Sequence, residues 1–175
     1  MFSKKVTIQL QKQDDIIHLE PLSDIHVGHA GFDEALYKNR IKAITKDIVE
    51  DCSELKKIGI SSVAICANDA ENYPEDSFDN MIDFAKKNNF GFPYLNDETQ
   101  EIAKIYDAVC TPDFFGYNKN LELQYRGRLR ELKNLVPVRS GESDLLKAMK
   151  QISETGKGPE RQIPSAGCGI KWKNN

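Results

Sequence analysis

Residues 92–129, "FPYLNDETQEIAKIYDAVCTPDFFGYNKNLELQYRGRL", are the stretch whose reading decides the fold. A short extended piece ends at Leu95. Asp97, with Gln100 three residues on, has the form of a capping box and predicts a helix through Ile102, Ile105 and Tyr106. After "CTP", the run "DFFGYNKNLELQYRG" (113–127) predicts a hairpin, with a strand to Tyr117, a turn at Asn118–Asn120 and a second strand.

Working outward toward the N-terminus, "ISSVAICA" (60–67) is a mostly apolar strand, suited to a sheet covered on both faces. The loop "NDAENYPED" (68–76) leads to Ser77, an N-cap candidate for a helix through Phe78, Met81, Ile82 and Ala85. Before the strand, Leu36, Ile41, Ile44, Ile48, Cys52, Leu55 and Ile58 recur at steps of three to five. They predict one apolar stripe on a long helix ending at Gly59. "KVTIQL" and "DIIHLEPL" read as a hairpin or as two successive strands. Toward the C-terminus, "SGESDLLKAMKQIS" (140–153) predicts a last helix with Ser143 or Gly141 near its start. The predicted order, β-β-α-β-α-(β)-α-β-β-α, calls for an α/β fold with a mixed central sheet and helices on both faces. Residues 1–155 then form a single domain, with 1–42 an atypical N-terminal βα unit, and 156–175 an irregular tail.

A chain of 175 residues with 39% apolar and 29% charged residues is expected to form one soluble domain with a substantial core. A net charge of −3 gives no reason to expect nucleic acid as a partner, and the short basic tail (Lys157, Arg161, Lys171, Lys173) reads as solvated. No apolar run is long enough to span a bilayer, and "MFSKKVTIQLQKQDD" has no signal-peptide core, so no membrane and a cytoplasmic location are expected. The four cysteines, Cys52, Cys66, Cys110 and Cys168, contain no CxxC and are expected to be thiols rather than a disulfide framework. No cofactor is implied.

"CANDAENYPED" (66–76), residues 92–129 and "PSAGCGIKWK" (164–173) together carry a resemblance. From about 43 to 173 the chain resembles thioredoxin-like proteins of the alkyl hydroperoxide reductase / thiol-specific antioxidant family, the peroxiredoxin-like redoxins. The resemblance implies a thioredoxin-like fold, a cis Thr111–Pro112 bond, and a substrate loop carrying Thr111 and Pro112 beside a redox centre. It also implies an antioxidant thiol-dependent oxidoreductase acting on a peroxide or a protein disulfide, with an unidentified thiol reductant as second partner. Members of the family usually carry a Cys-x-x-Cys type motif where the first helix starts, and a thiolate there is stabilised by the helix N-terminus. Here "SDIHVGHAGFDEALY" (23–37) stands in that place, and no cysteine precedes Cys52. The main nucleophile of the family is missing, which predicts impaired chemistry.

"HLEPLSDIHVGHAGFDEALYKNRI" (18–41) resembles instead the opening strand and helix of a calcineurin-like metallophosphoesterase, in which an Asp-x-His pair begins a dinuclear metal site. Asp24 and His26 match that pair. Such chemistry needs further ligands converging on two cations about 4 Å apart. No histidine follows His29, and "CANDAEN" is not the family's Asn-His motif, so the metal site is half a site. The two resemblances meet near Arg40–Ile44, which suggests a chimera with a phosphoesterase βα unit in place of the redox one.

Cys110 and Cys168 are therefore the catalytic candidates. Cys110, two residues before Pro112, is either a reactive or resolving thiol facing His26 or His29, or a half-buried strand-end cysteine. Cys168 is either an accessible thiol near Lys171 and Lys173 that reaches Cys110 if the tail folds back, or an unpaired surface cysteine. Cys52 and Cys66 belong to the core. Trp172 reads as a tail anchor, and Arg126 and Arg128 as charges on an edge strand. The functional classes left open are a thiol oxidoreductase, a redox-inactive binding module on the same scaffold, and a vestigial metal-binding fragment.

Overall fold

Alternation along "FFGY" explains how the sheet divides the molecule. Successive strand residues point to opposite faces. Phe114 enters a core with residues of the long helix and the last helix, while Phe115 enters a second core with Ala67, Ala103, Ala108 and Ile170. The computed structural model describes residues 16–19, 34–133, 136–138 and 140–174.

Five strands form the sheet: β1 (Ile16–Leu19), β2 (Ser61–Cys66), β3 (Tyr94–Asn96), β4 (Phe114–Tyr117) and β5 (Leu123–Gly127). Their order is β3-β2-β1-β4-β5. β1 runs parallel to β2, and β2 to β3, while β4 is antiparallel to both β1 and β5. The register shifts between Gly116 and Tyr117. This is the mixed sheet that the sequence predicts. The run "KVTIQL" lies outside the described residues. An additional two-stranded ribbon, β6 (Leu132–Lys133) with β7 (Val136–Pro137), was not anticipated.

α1 (Glu34–Lys57) carries the predicted stripe from Ile41 to Leu55, which packs with α4 (Asp144–Thr155) on one face of the sheet. Ile58 departs from the stripe: the helix has ended, Gly59 turns the chain at φ +86°, and Ile58 is exposed while Ile60 is buried. Full burial of side chains such as Leu55, Phe114 and Leu145 contributes roughly 2–3 kcal/mol each. Truncating Leu145 to alanine at this interface would cost about 2–5 kcal/mol.

Ser143 caps α4, its Oγ accepting the Leu146 N–H at 2.8 Å, and Gly156 closes the helix at φ +74°. α2 (Phe78–Lys87) lies beside β3 with only Met81 buried among the residues predicted for its apolar face. Ser77 precedes it without a side-chain cap bond.

The helix predicted from the Asp97/Gln100 box exists as α3 (Glu101–Ile105), but the box does not form. Asp97 accepts the Ala103 N–H instead, and Gln100 sits in the left-handed region at φ +60°. That hook turns the small Ala103 inward and leaves Ile102 and Ile105 outward, at 38% and 76% exposure. The apolar residues that suggested the helix are thus not the ones that pack it. Tyr106 covers Phe115 edge-on at 5.5 Å, completing this second face.

Candidate functional site at the carboxyl edge of the sheet

The parallel strands β1, β2 and β3 all end at one edge of the sheet, the place where α/β proteins commonly bind ligands. The antiparallel β4 begins there, opposite Leu19. The Thr111–Pro112 bond two residues earlier is cis, as the resemblance implied. Cys110, Thr111 and Asp113 around it are all buried. Cys110 donates its thiol to the Pro112 carbonyl at 3.7 Å.

The tail arrives at the same edge. It has no regular element, yet it is fixed along most of its length. Gln162 bonds the Gln124 carbonyl and the Arg126 N–H at 2.8 and 2.7 Å. Arg128 N–H is donated to the Ile163 carbonyl, and Ser165 Oγ to the Gly127 carbonyl. The outer edge of β5 is thereby covered by this chain's own tail, the plain device for protecting an edge strand.

Beyond Ile163 the tail crosses the cis-proline loop. Cys168 forms an antiparallel bridge with Thr111, its carbonyl accepting the Thr111 N–H at 2.7 Å and the hydroxyl at 3.3 Å. Gly167 lies so close that a Cβ there would stand 2.1 Å from the Thr111 carbonyl oxygen. Ile170 is the buried anchor, with 7% exposure, whereas Trp172 remains 41% exposed with Lys104 Nζ 5.8 Å from its ring centre. The anchoring expected of Trp172 is carried mainly by its neighbour, whose shorter side chain fits the space beside Ala67 and Phe115.

Gln100 locks the strap. Its buried amide donates to the carbonyls of Ala67 and Lys171 at 2.6 and 2.8 Å and accepts the Lys173 N–H at 2.8 Å. Lys171 also bonds through its main chain to Asn68 Oδ1 and to the Asp69 N–H. Asp69 is itself held by the Asn72 amide and the Glu71 N–H, which keep its carboxyl below the usual range. Lys171 lies over Tyr73 and Lys173 pairs with Glu71.

The two candidate thiols therefore meet at one loop but on opposite sides of it. Directly bridged residues share a side, and their chain neighbours take the other. Cys168 is exposed and Cys110 buried, and no cysteine is in a disulfide. Cys52 and Cys66 are buried in the core as predicted, and burial pushes the Cys52 thiol up to about 12. Asp24, His26 and His29 lie outside the described residues. Among the described residues, no group of three or more His, Cys, Asp or Glu side chains is placed to hold a metal ion. No helix among them is long and apolar enough to cross a membrane.

Arg126 binds the Asp107 carbonyl and stands 3.6 Å from the buried Asp113 carboxylate, stacked 5.1 Å from the Phe115 ring centre. Arg128 pairs with Asp144 at 2.6 Å. Neither arginine is simply a solvated edge charge. Sequence reasoning missed the roles of Gln100 and Ile170. For Ile170 the available signal was an apolar residue in a polar tail, shared with Ile163 and Trp172.

The model of the AhpC/TSA family matches residues 40–131. A conserved uncharacterized protein from Geobacillus kaustophilus is 36% identical, over 93% of this chain and 79% of its own, with a TM-score of 0.76. A hypothetical protein from Sinorhizobium meliloti is 28% identical, over 93% and 82%, with a TM-score of 0.72. The peroxiredoxin 6 of Arenicola marina shares the fold, with a TM-score of 0.50 at 14% identity over 87% of this chain and 69% of its own. No curated protein matches the sequence.

Proposed function

The chain belongs to the AhpC/TSA family, and from that premise we propose that it is a thiol-dependent oxidoreductase of reduced power whose reacting thiol is Cys168. The observation that carries this reading is the placement of Cys168: exposed, between two glycines, and bridged by its backbone to the residue before the cis-proline. An accessible thiol at the carboxyl edge of the sheet meets the first requirement for attack on a peroxide or disulfide. Cys110, buried on the other side of the bridge, is the secondary candidate.

In the peroxide reaction the Cys168 thiolate attacks one peroxide oxygen. The O–O bond breaks, leaving a sulfenic acid on Cys168, and the second oxygen leaves as water or an alcohol after taking a proton. A low-molecular-weight thiol condenses with the sulfenic acid to a mixed disulfide and releases water. A second such thiol attacks the mixed disulfide, restores Cys168 and leaves as the external disulfide. The impairment follows from the absence of any cysteine before Cys52, which removes the thiolate the family places at the first helix.

Intact-mass measurement after peroxide treatment tests the reading. The expected result is addition of about 16 Da at Cys168, reversed by a thiol reductant, absent in Cys168→Ser and retained in Cys110→Ser. Oxidation spread equally over all thiols, or slow and irreversible at Cys168, overturns it. It would leave the alternative of a redox-inactive binding module on the same scaffold, which the fully bonded strap over the loop favours.

A further inference from the structure

The tail covers β5, and β3 forms the opposite edge of the sheet. Beside β3 a half-open groove of about 250 Å³ lies between α2 and a 3₁₀ turn, Pro74–Asp76. Its floor is apolar, made by Met81 and Phe84 of α2 and by Tyr94 of β3. Phe90 packs against both rings, its centre 5.7 Å from that of Phe84 and 5.5 Å from that of Tyr94. The walls are tied together. Asn80 Nδ2 donates to the Pro74 carbonyl at 2.9 Å, joining α2 to the turn. Asn68 Nδ2 donates to Asp76 Oδ2 at 2.9 Å and orients that buried carboxyl. Glu75 and Asp83 stand exposed at the rim, so three acidic side chains face the groove against one lysine, Lys87.

We infer that this groove binds a small organic ammonium ion, its apolar body laid on Met81, Phe84 and Tyr94 and its charge turned to the acidic rim. Charge complementarity selects the occupant. Aromatic faces attract a cation through the ring quadrupole, and nearby carboxylates add to that attraction. An anion meets repulsion from the same rim. A neutral apolar molecule gains the floor but leaves the carboxylates without a partner. An inorganic cation gains the rim but leaves the apolar floor unfilled, and no group of three or more His, Cys, Asp or Glu side chains among the described residues is placed to hold a metal ion. The volume suits a ligand below drug size. The inference stands apart from the thiol chemistry, since no cysteine lines the groove among the described residues.

Nuclear magnetic resonance on the full chain, with carbon-13 in its methionine methyl groups, tests this. Met81 lines the groove, whereas Met149 is buried in the core with α1 and reports on the fold. Phenethylammonium is the probe, and 2-phenylethanol is its neutral counterpart of the same size. The ammonium is expected to shift the Met81 signal saturably and to leave Met149 unmoved. The alcohol should bind at least about tenfold more weakly. Glu75→Gln/Asp83→Asn, both changes at exposed positions, should weaken the ammonium at least about fivefold with the Met149 signal unchanged. No saturable shift at Met81, equal affinity for ammonium and alcohol, or an unchanged affinity in the double variant overturns the inference. So does equal displacement of the probe by magnesium at the same ionic strength. Should the double variant lose the native Met149 signal, the comparison of ammonium with alcohol on the unaltered chain decides by itself.

Discussion

Asp51 gives the most direct test of the physical reasoning. It lies on the sheet side of α1, 4% exposed, and accepts the hydroxyl of Ser143, the residue that caps α4. Burial is the dominant influence and pushes its carboxyl from an ordinary 3.8 to about 6; the Ser143 bond and the Arg130 charge oppose it, and Asp47 and Glu50 assist. Since the folded value exceeds the unfolded one, the folded state binds the proton more tightly. The contribution to stability is full below the unfolded value and is lost as pH rises through about 6. A difference of roughly two pH units, at 1.36 kcal/mol per unit, gives about 3 kcal/mol. Asp51→Asn keeps an acceptor for Ser143 and cannot ionise. Urea unfolding of both chains from about pH 4 to pH 7.5, followed by circular dichroism, isolates the difference from all other titrations. The wild type should lose about 3 kcal/mol relative to the variant across that interval. A difference constant within about 0.5 kcal/mol, or one of opposite sign, would refute the dominance of burial over the Ser143 and Arg130 interactions.

Other expectations follow from the same contacts. Arg130 pairs with the buried Asp47 at 3.2 Å and bonds the Val138 carbonyl at 3.1 Å, so Arg130→Met should cost about 3 kcal/mol or more in urea unfolding at neutral pH. Gln100→Ala removes the bonds that fasten Lys171 and Lys173, and limited proteolysis should then cleave the tail several-fold faster, with a stability loss of about 2 kcal/mol. In Gly116→Ala the new methyl would stand 2.3 Å from Met149 Sδ, so a loss of about 1–3 kcal/mol is expected, non-additive with Met149→Ala in a double-mutant cycle. An aromatic disulfide reagent should modify Cys168 in the native chain and reach Cys52 and Cys66 only after unfolding.

The legible parts of this fold were those set by period and punctuation. The stripe from Ile41 to Leu55 marks α1 because a long helix packing on a sheet must repeat its apolar residues at helical spacing. Alternating, turn-bounded runs marked β4 and β5. What the sequence concealed were contacts between residues far apart in the chain. Asp47 and Asp51 stand four apart beside the stripe and look like solvent-facing helix positions; only the arrival of Arg130 and Ser143, about 80–90 residues later, makes their burial tolerable. Gln100 looked like part of a capping box because its local spacing is right. Its amide instead satisfies two distant carbonyls, a choice that no local rule expresses.

The strap separates structural need from chemical opportunity at the candidate site. Gly167 is explained by its contact with Thr111 and Ile170 by its burial, while the main chain at 171 and 173 fastens the tail to Asn68, Asp69 and Gln100. At Cys168 the bridge to Thr111 engages the carbonyl, and any residue supplies a carbonyl. Its thiol is exposed. The bridge therefore fixes where residue 168 sits through its backbone. The same logic runs the other way for Cys52 and Cys66, whose burial in the core accounts for them without any chemistry. The proposal of Cys168 as the reacting thiol therefore places the chemistry in the strap rather than at the start of the first helix, where no cysteine stands.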